Sequence, residues 1–457
     1  MKVKQGKDDR ASRRRFLRSA AVAALAVGAG PAVIVPGRAQ QKTLKILKWK
    51  FFVPEFETWF TDTFVKEWGE RNATEVIVDS VGLGDLSGMA AAEARAKNGH
   101  DLLLLLRGVP ELESSVIDHR EIHEECVHRF GAQLDLAYKN NFNPATGGYH
   151  GLCAGYVPAL LNYRQDLWGE IGVVPDTWDA VLRGGRQLKL LYDRPVGISL
   201  APEHNSEHTL RAIMYSFGSY VQDEAGNPSL NSEQTLETLK FVKSLYQDAM
   251  PRDVVNWNAV SNNRYMLSDE GCLTIDTLSI VRAAESKTLP VGDRLGLRAL
   301  PEGPGGRPGL GPAFGVDNFV IWKFADNVEG ARRFLVDYVQ QSRMAFLTSG
   351  FQHMPCFPDT VPDLVKLVDQ DQSGAVPDQY SLLAGVNDWV TNMGYPGFAT
   401  AAVGDVLGSH VIPNMFSQAA TGKLTPEEAL AQADLQVQDL FQKRTAMSGA
   451  RILARAG

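Results

Sequence analysis

The chain has 457 residues, 44% of them hydrophobic, which is enough for a large core and for two or three domains. The formal net charge is −7, and none of the four cysteines, Cys126, Cys153, Cys272 and Cys356, lies at zinc-site spacing from another. Residues 1–39 hold nine Lys/Arg and two Asp/Glu, so the remainder carries 37 basic and 51 acidic residues, a net of −14, which sets nucleic acid and anionic lipid aside as partners.

Ser12 to Arg18, with Arg13 and Arg14 in succession, reads as a twin-arginine export signal. An apolar run from Ala20 to Val35 follows, and Gly37-Arg38-Ala39 offers small residues for cleavage after Ala39. The run is short and broken by Pro31, which argues against a spanning helix. No cysteine precedes Cys126, so no lipid-attachment site is expected, and residues 1–39 are expected as the signal peptide of a soluble periplasmic protein. That compartment permits disulfides, but the spacing does not set a pairing.

Leu44 to Trp49 is a first strand, and Pro54 opens a helix with Phe56, Trp59, Phe60, Phe64 and Trp68 at helical spacing. Glu75–Val78 is a second strand, Ser87–Asn98 an Ala-rich helix and Asp101–Leu106 a wholly apolar third strand. Such a run suits a parallel sheet covered on both faces, and ligands of such sheets bind beyond the carboxyl ends of the strands. The loops at those ends are Lys50–Phe52, Gly82–Asp85 and Arg107-Gly108. Tyr149–Cys153 and Val157–Tyr163 are further strands, and Thr177 is placed to cap a helix. Asn231–Met250 is a helix stopped by Pro251, and Leu273–Ile275 is a short strand before Asp276. Six Gly and three Pro make residues 303–315 a loop, and Val316–Trp322 is the next strand. Asp326 with Glu329 forms a capping box, and Thr425-Pro426 starts another helix.

The run Gly148, Tyr149, Gly151, Leu152, Asn162, Tyr163, Asp166, Leu167, Gly172, Pro175, Thr177, Trp178, Asp179 resembles a segment of the extracellular solute-binding proteins of bacterial ABC transporters, sugar-type family 1, which includes the maltodextrin-binding proteins. Gly271–Asp276 and Thr421–Leu430 are similar to two further motifs of that family, and the order covers nearly the whole chain after the signal. The sequence departs from the family at Cys153, where a Pro is usual. The resemblance implies an α/β fold of the type II periplasmic-binding-protein kind, two lobes joined by a hinge with a cleft between them. Residues 43–153 plus 302–355 would form lobe one, 154–301 plus 356–444 lobe two, and 445–457 a tail. It also implies a monomer that performs no reaction and carries no cofactor or metal. Such a protein binds a small solute, a sugar or polyol, and presents it to the permease subunits of an importer. The alternatives are the same fold binding glycerol phosphate or a polyamine, and, in another class, an exported metal or redox enzyme.

Other constellations are weaker. Gly82–Gly88 departs from dinucleotide-loop spacing and reads as a turn. His119 with His123 and His204 with His208 are four apart; a solvated polar face accounts for both better than a metal. There is no GxSxG elbow. Candidate solute contacts are Trp49, Lys50, Asp85 and Arg107 at the strand ends of lobe one, Tyr156 and Asp317 on the crossing strands, Trp257, Asn258 and Asp276 in lobe two, and Tyr395. Trp257 among asparagines is the expected stacking ring, with Arg107 and Asp276 as polar partners from opposite lobes. Asp276-Thr277-Leu278-Ser279 stands where the maltodextrin binders place an aromatic, which argues against a long oligosaccharide.

Overall fold

The computed structural model describes residues 42–456 except 306, 307, 372, 373, 375 and 377, with side chains to residue 447. The export signal expected at 1–39 lies outside the described residues. No helix among the described residues is long and apolar enough to cross a membrane.

Three strands, β1 (Lys42–Trp49), β2 (Thr74–Val81) and β3 (Leu102–Leu105), run parallel, with β1 in the centre. β3 is Leu throughout and wholly buried, because helices cover both faces. The chain leaves this sheet through β4 (Leu152–Val157) and enters a second, three-stranded sheet as β5 (Leu160–Arg164). There β5 lies between β6 (Leu273–Asp276) and β7 (Leu295–Arg298), antiparallel to both. It returns as β8 (Gly315–Ile321), which sits antiparallel between β3 and β4, and β9 (Met354–Pro355) closes the edge. The large sheet therefore has the order β9-β4-β8-β3-β1-β2.

The crossing strands are irregular where they pair. The β4–β8 register shifts between Asp317 and Asn318, and Gly155 allows the approach, since a Cβ there would lie 2.9 Å from Asp317 Oδ2. Cys153 is held by side chains: its Sγ accepts from Asn140 and Asn141 Nδ2 at 3.3 and 3.0 Å and donates to Asn318 Oδ1 at 3.4 Å. Burial pushes its pKa up to about 12, so it stays a thiol. All four cysteines are buried and free.

Two hydrophobic clusters form. The first gathers the aromatics of residues 54–71 onto the large sheet. The helix there is continuous but winds as a π-turn at Trp59–Phe64. The second gathers helices Trp178–Tyr192, His204–Ser216, Glu233–Ala249 and the C-terminal helices around the small sheet. Cys356, Phe357, Val361, Val368 and Leu383, expected with lobe two, pack in the first cluster, and the chain joins the second from Met393 onward. The last helix, Pro426–Ala456, runs through the residues expected as a tail from 445.

Local signals are answered residue by residue. Thr177 Oγ1 accepts the Ala180 N–H at 3.1 Å, and Thr425 and Glu428 bond reciprocally as a capping box. The helix Val328–Gln340 is capped by Asn327, whose Oδ1 accepts the Gly330 N–H at 2.9 Å, and not by Asp326. Asn327 is one residue closer to the first turn, which leaves Asp326 exposed against Lys45.

Candidate functional site

A cavity of about 270 Å³ lies where the carboxyl ends of the first sheet face the second lobe. The first lobe supplies Trp49 at the end of β1, Phe52, Leu83, Leu106 and Gln352. The crossing supplies Val157, Phe314 and Gly315, and the second lobe His204, Asn205, Val260, Asn263, Asp276, Thr277 and Ser279, with the exposed Lys287. A groove of about 480 Å³ runs along β7 and is lined by Tyr163, Thr177, Leu297, Arg298 and Gln379. No residue of β1–β3 or their following loops reaches it, so size does not make it the better candidate.

Trp49 is fixed from behind. Lys48 is wholly buried and its Nζ donates to both carboxylate oxygens of Glu57 at 2.8 and 2.7 Å, while sitting 4.1 Å from the Phe51 ring. Burial lowers the Lys48 pKa, and the Glu57 contact opposes it. Glu57 Oε2 also accepts the Phe51 N–H at 2.9 Å, which pins the loop after β1. The Trp49 ring then meets Phe51 edge-on at 4.9 Å and Phe52 at 5.5 Å. Trp49 is 3% exposed, and its Nε1 has no partner among the described residues. Gln352 is 4% exposed, and its Oε1 likewise has none. Its neighbour His353 is anchored through Nδ1 to Asp317 Oδ2 at 2.7 Å and through its backbone N–H to Ser349 Oγ at 3.0 Å.

The opposite wall is bonded to itself. Asp276, 4% exposed, accepts the Thr277 N–H at 2.6 Å, the Ser279 hydroxyl at 3.2 Å and Asn262 Nδ2. Asn262 Oδ1 accepts from Asn205 Nδ2 at 2.8 Å. Burial pushes the Asp276 carboxyl up to about 6, and these hydrogen bonds hold it from going higher. His204 Nε2 donates to Phe314 O at 3.2 Å, and burial brings its pKa down to about 4, so it is neutral at pH 7. The His204 and His208 rings, 4.4 Å apart, both pack on Phe314, and His119 is wholly buried with its ring bonded to Tyr149 O and Ile321 N–H. Where solvated faces were expected, His119 and His208 are thus packed interior, while His123 and His204 are half-buried. No group of three or more His, Cys, Asp or Glu placed to hold a metal exists among the described residues.

Of the residues read from the sequence, the cavity brings together Trp49 and Asp276. Lys50 and Asp85 are exposed beside it, and their loops contribute Phe52 and Leu83 instead. Arg107 bonds Glu111 Oε1 at 2.5 Å and its own loop at Gly108 O, facing Gly404 of the second lobe. Tyr156 is core, with its hydroxyl donating to Asn387 Oδ1. Asp317 serves His353. Trp257, 7% exposed, packs on Tyr265 at 5.0 Å and donates Nε1 to Asp253 Oδ2 at 3.1 Å, behind the cavity wall and not on it. Asn258 accepts the Val260 N–H and the Ser261 hydroxyl at 3.2 Å as a local cap, and Tyr395 packs on Tyr215 and Tyr220. Gln352, Phe314 and Asn205 gave no sequence signal; only the fold carries them to the cavity.

Residues 130–349 match the family described as bacterial extracellular solute-binding protein. A probable ABC transporter-binding protein of Deinococcus radiodurans is 24% identical over 284 residues, 59% of this chain, and the match spans only 63% of that relative's length. The maltose-bound structure of T. maritima MalE3 is similar with a TM-score of 0.71 at 18% identity, covering 87% of this chain and 99% of that one. The ABC transporter solute-binding protein of Agrobacterium radiobacter K84 in complex with ribitol gives 0.70 at 16% identity, covering 87% and 98%. The matched segment is that of the bacterial extracellular solute-binding proteins, and the fold is of the type II periplasmic-binding-protein kind, as the sequence resemblance implied.

Proposed function

We propose that this chain is the solute receptor of an ABC importer. It takes a sugar or polyol between its lobes, closes on it, and presents the closed form to the permease subunits, acting as a monomer in the periplasm. The observation that carries this reading is the cavity that joins Trp49, at a strand end of the first lobe, to Asp276, at a strand end of the second. An indole face suits the apolar face of a sugar ring, and a buried carboxylate accepts strong hydrogen bonds from hydroxyls. A solute touching both walls stabilises the closed arrangement, because only there does it meet both. The maltose and ribitol complexes of the similar structures support the solute class. Arg107 is held by Glu111 and Lys50 stands outside the cavity, so neither offers a cradle for phosphate.

The test is a native mass spectrum of protein purified from rich medium, followed by solution scattering with and without the solute found. A retained sugar or polyol and a smaller radius on binding are expected. A retained phosphate ester or polyamine, or an unchanged profile at saturation, overturns the reading. Export by the twin-arginine route is tested separately by replacing Arg13 and Arg14 with Lys and fractionating cells. Loss of the periplasmic form is expected, and an unchanged yield overturns that route.

A further inference from the structure

Among the described residues that line the cavity, two side chains have a buried polar atom without a partner: Trp49 through Nε1 and Gln352 through Oε1. One is a donor only and the other, at that oxygen, an acceptor only. Both stand on the same wall, and both side chains are more than nine-tenths buried. A buried polar atom left unpaired is unfavourable, so a solute that fits should satisfy both. An ammonium group donates but cannot accept from Trp49, and a fully ionised phosphate accepts but cannot donate to Gln352. A hydroxyl does both. The rest of that wall, Phe52, Leu83 and Leu106, is apolar, and Asp276 faces it with a carboxylate already oriented by three hydrogen bonds. The volume, about 270 Å³, falls just below the span of roughly 300–1,000 Å³ usual for small-molecule pockets, which leaves room for one sugar unit but not for a chain of them.

Resting on the solute-receptor reading above, we infer that the solute is a compact polyhydroxylated molecule, a single sugar ring or an open-chain polyol of similar size, and that Trp49 and Gln352 together read one of its hydroxyls. Asp276 then takes hydroxyls on the other side, and the ring or carbon chain lies along the apolar wall.

The experiment has two arms. In the first, the full exported chain, dialysed free of carried-over solute, is screened by thermal shift and then calorimetry. The probes are pentitols, hexitols, aldopentoses, aldohexoses, maltose, maltotriose, glycerol 3-phosphate and spermidine. A single-unit sugar or polyol is expected to bind tightest, with maltose at least about tenfold weaker. Maltose or maltotriose binding tightest overturns the inference and leaves the sugar reading standing. Glycerol 3-phosphate or spermidine binding tightest, or no response to any carbohydrate, overturns both. In the second arm, Gln352→Leu and Trp49→Phe are titrated with the tightest ligand and with its monodeoxy analogues, after melting curves confirm that each variant folds. Each variant is expected to lose about tenfold in affinity for the parent ligand, and to match the wild type within about threefold for one deoxy analogue, the one lacking the hydroxyl that is read. Equal losses across all analogues would assign both residues a structural role and overturn the hydroxyl assignment.

Discussion

The lobe-one wall of the cavity is apolar but for two unpaired polar atoms, whereas the lobe-two wall sets a chain of polar groups, bonded to one another, among Ala259, Val260, Leu267 and Ala283. Trp49, Phe52, Leu83 and Leu106 come from the ends of the parallel strands and the loops after them, where apolar residues continue from the sheet out to the surface. Asn205, Asn262, Asp276 and Ser279 form a chain of hydrogen bonds before any solute arrives. The first wall is therefore shaped by packing and the second by hydrogen bonding. A substitution in the first should be felt through contact area and one or two missing partners. A substitution in the second should be felt through the orientation of a single carboxylate.

The comparison is broken most severely if its background is wrong, so the largest expected effect concerns Trp257, which stands behind the second wall. Trp257→Ala removes a packed indole and its bond to Asp253, and is expected to cost about 3 kcal/mol or more of stability. Melting curves without solute should show a large drop, while calorimetry on the folded fraction should find affinity within about threefold of wild type. A loss of affinity without a loss of stability would move Trp257 back onto the wall, where the sequence places it.

That displacement shows what was legible and what was not. The parallel strands and the cap at Thr177 follow from local rules, and the structure has them, whereas the strands expected at Tyr149–Cys153 and Val157–Tyr163 stand displaced at Leu152–Val157 and Leu160–Arg164, and the crossing itself was implied by the family resemblance. Strand ends were legible as places: all three loops named from the sequence stand beside the cavity. Within each loop the choice of residue was not legible. Lys50 and Asp85 look functional because they are charged, but a charged side chain at a loop finds solvent, while the apolar neighbours that line the cavity are Phe52, itself 59% exposed, and the half-buried Leu83. Trp257 drew attention through the asparagines around it, yet Asn258 caps the next helix, while Asn262 and Asn263 point toward Asp276 and Ser279. Gln352 lies 35 residues past Asp317, and its loop is brought to the crossing strands by the bond between His353 and Asp317 and by the pairing of β9 with β4.

Asp276 carries the next largest effect. Asp276→Ala leaves Asn262 and the Thr277 N–H without their acceptor and removes the charged group offered to the solute, so affinity should fall about a hundredfold. Calorimetry with the retained solute checks this, and a loss under fivefold would shift the recognition to the first wall. A related and smaller effect is pH. With the carboxyl pushed up to about 6, protons compete with solute hydroxyls below that pH. Affinity should be about tenfold weaker at pH 5 than at pH 7, and Asp276→Asn should flatten the profile. The stability contribution of the empty protein runs the other way. Because the folded pKa is raised, the stabilisation from protonated Asp276 is complete below the unfolded value near 3.8 and is lost as the pH rises through about 6.

The smallest effect separates a carboxylate that is oriented from one that is merely present. Ser279 donates its hydroxyl to Asp276 Oδ1 at 3.2 Å from the first turn of the helix Ser279–Ser286, while the same oxygen takes the Thr277 N–H at 2.6 Å. Ser279→Ala removes the longer of two hydrogen bonds on that oxygen and leaves the charge in place. If the wall is rigid by virtue of its network, the carboxylate gains freedom and the solute must restrain it, at a cost of about 0.5–1 kcal/mol, or two- to fivefold in affinity. The freed oxygen also accepts less strongly stabilised charge, so the midpoint of the pH profile should move upward from about 6. Both readings come from the same titrations repeated from pH 5 to pH 8. A change in affinity with no movement of the midpoint would mean that Ser279 touches the solute directly instead of holding Asp276. No change in either would mean that Thr277 and Asn262 alone fix the carboxylate, and that the second wall is ordered by fewer bonds than the geometry offers.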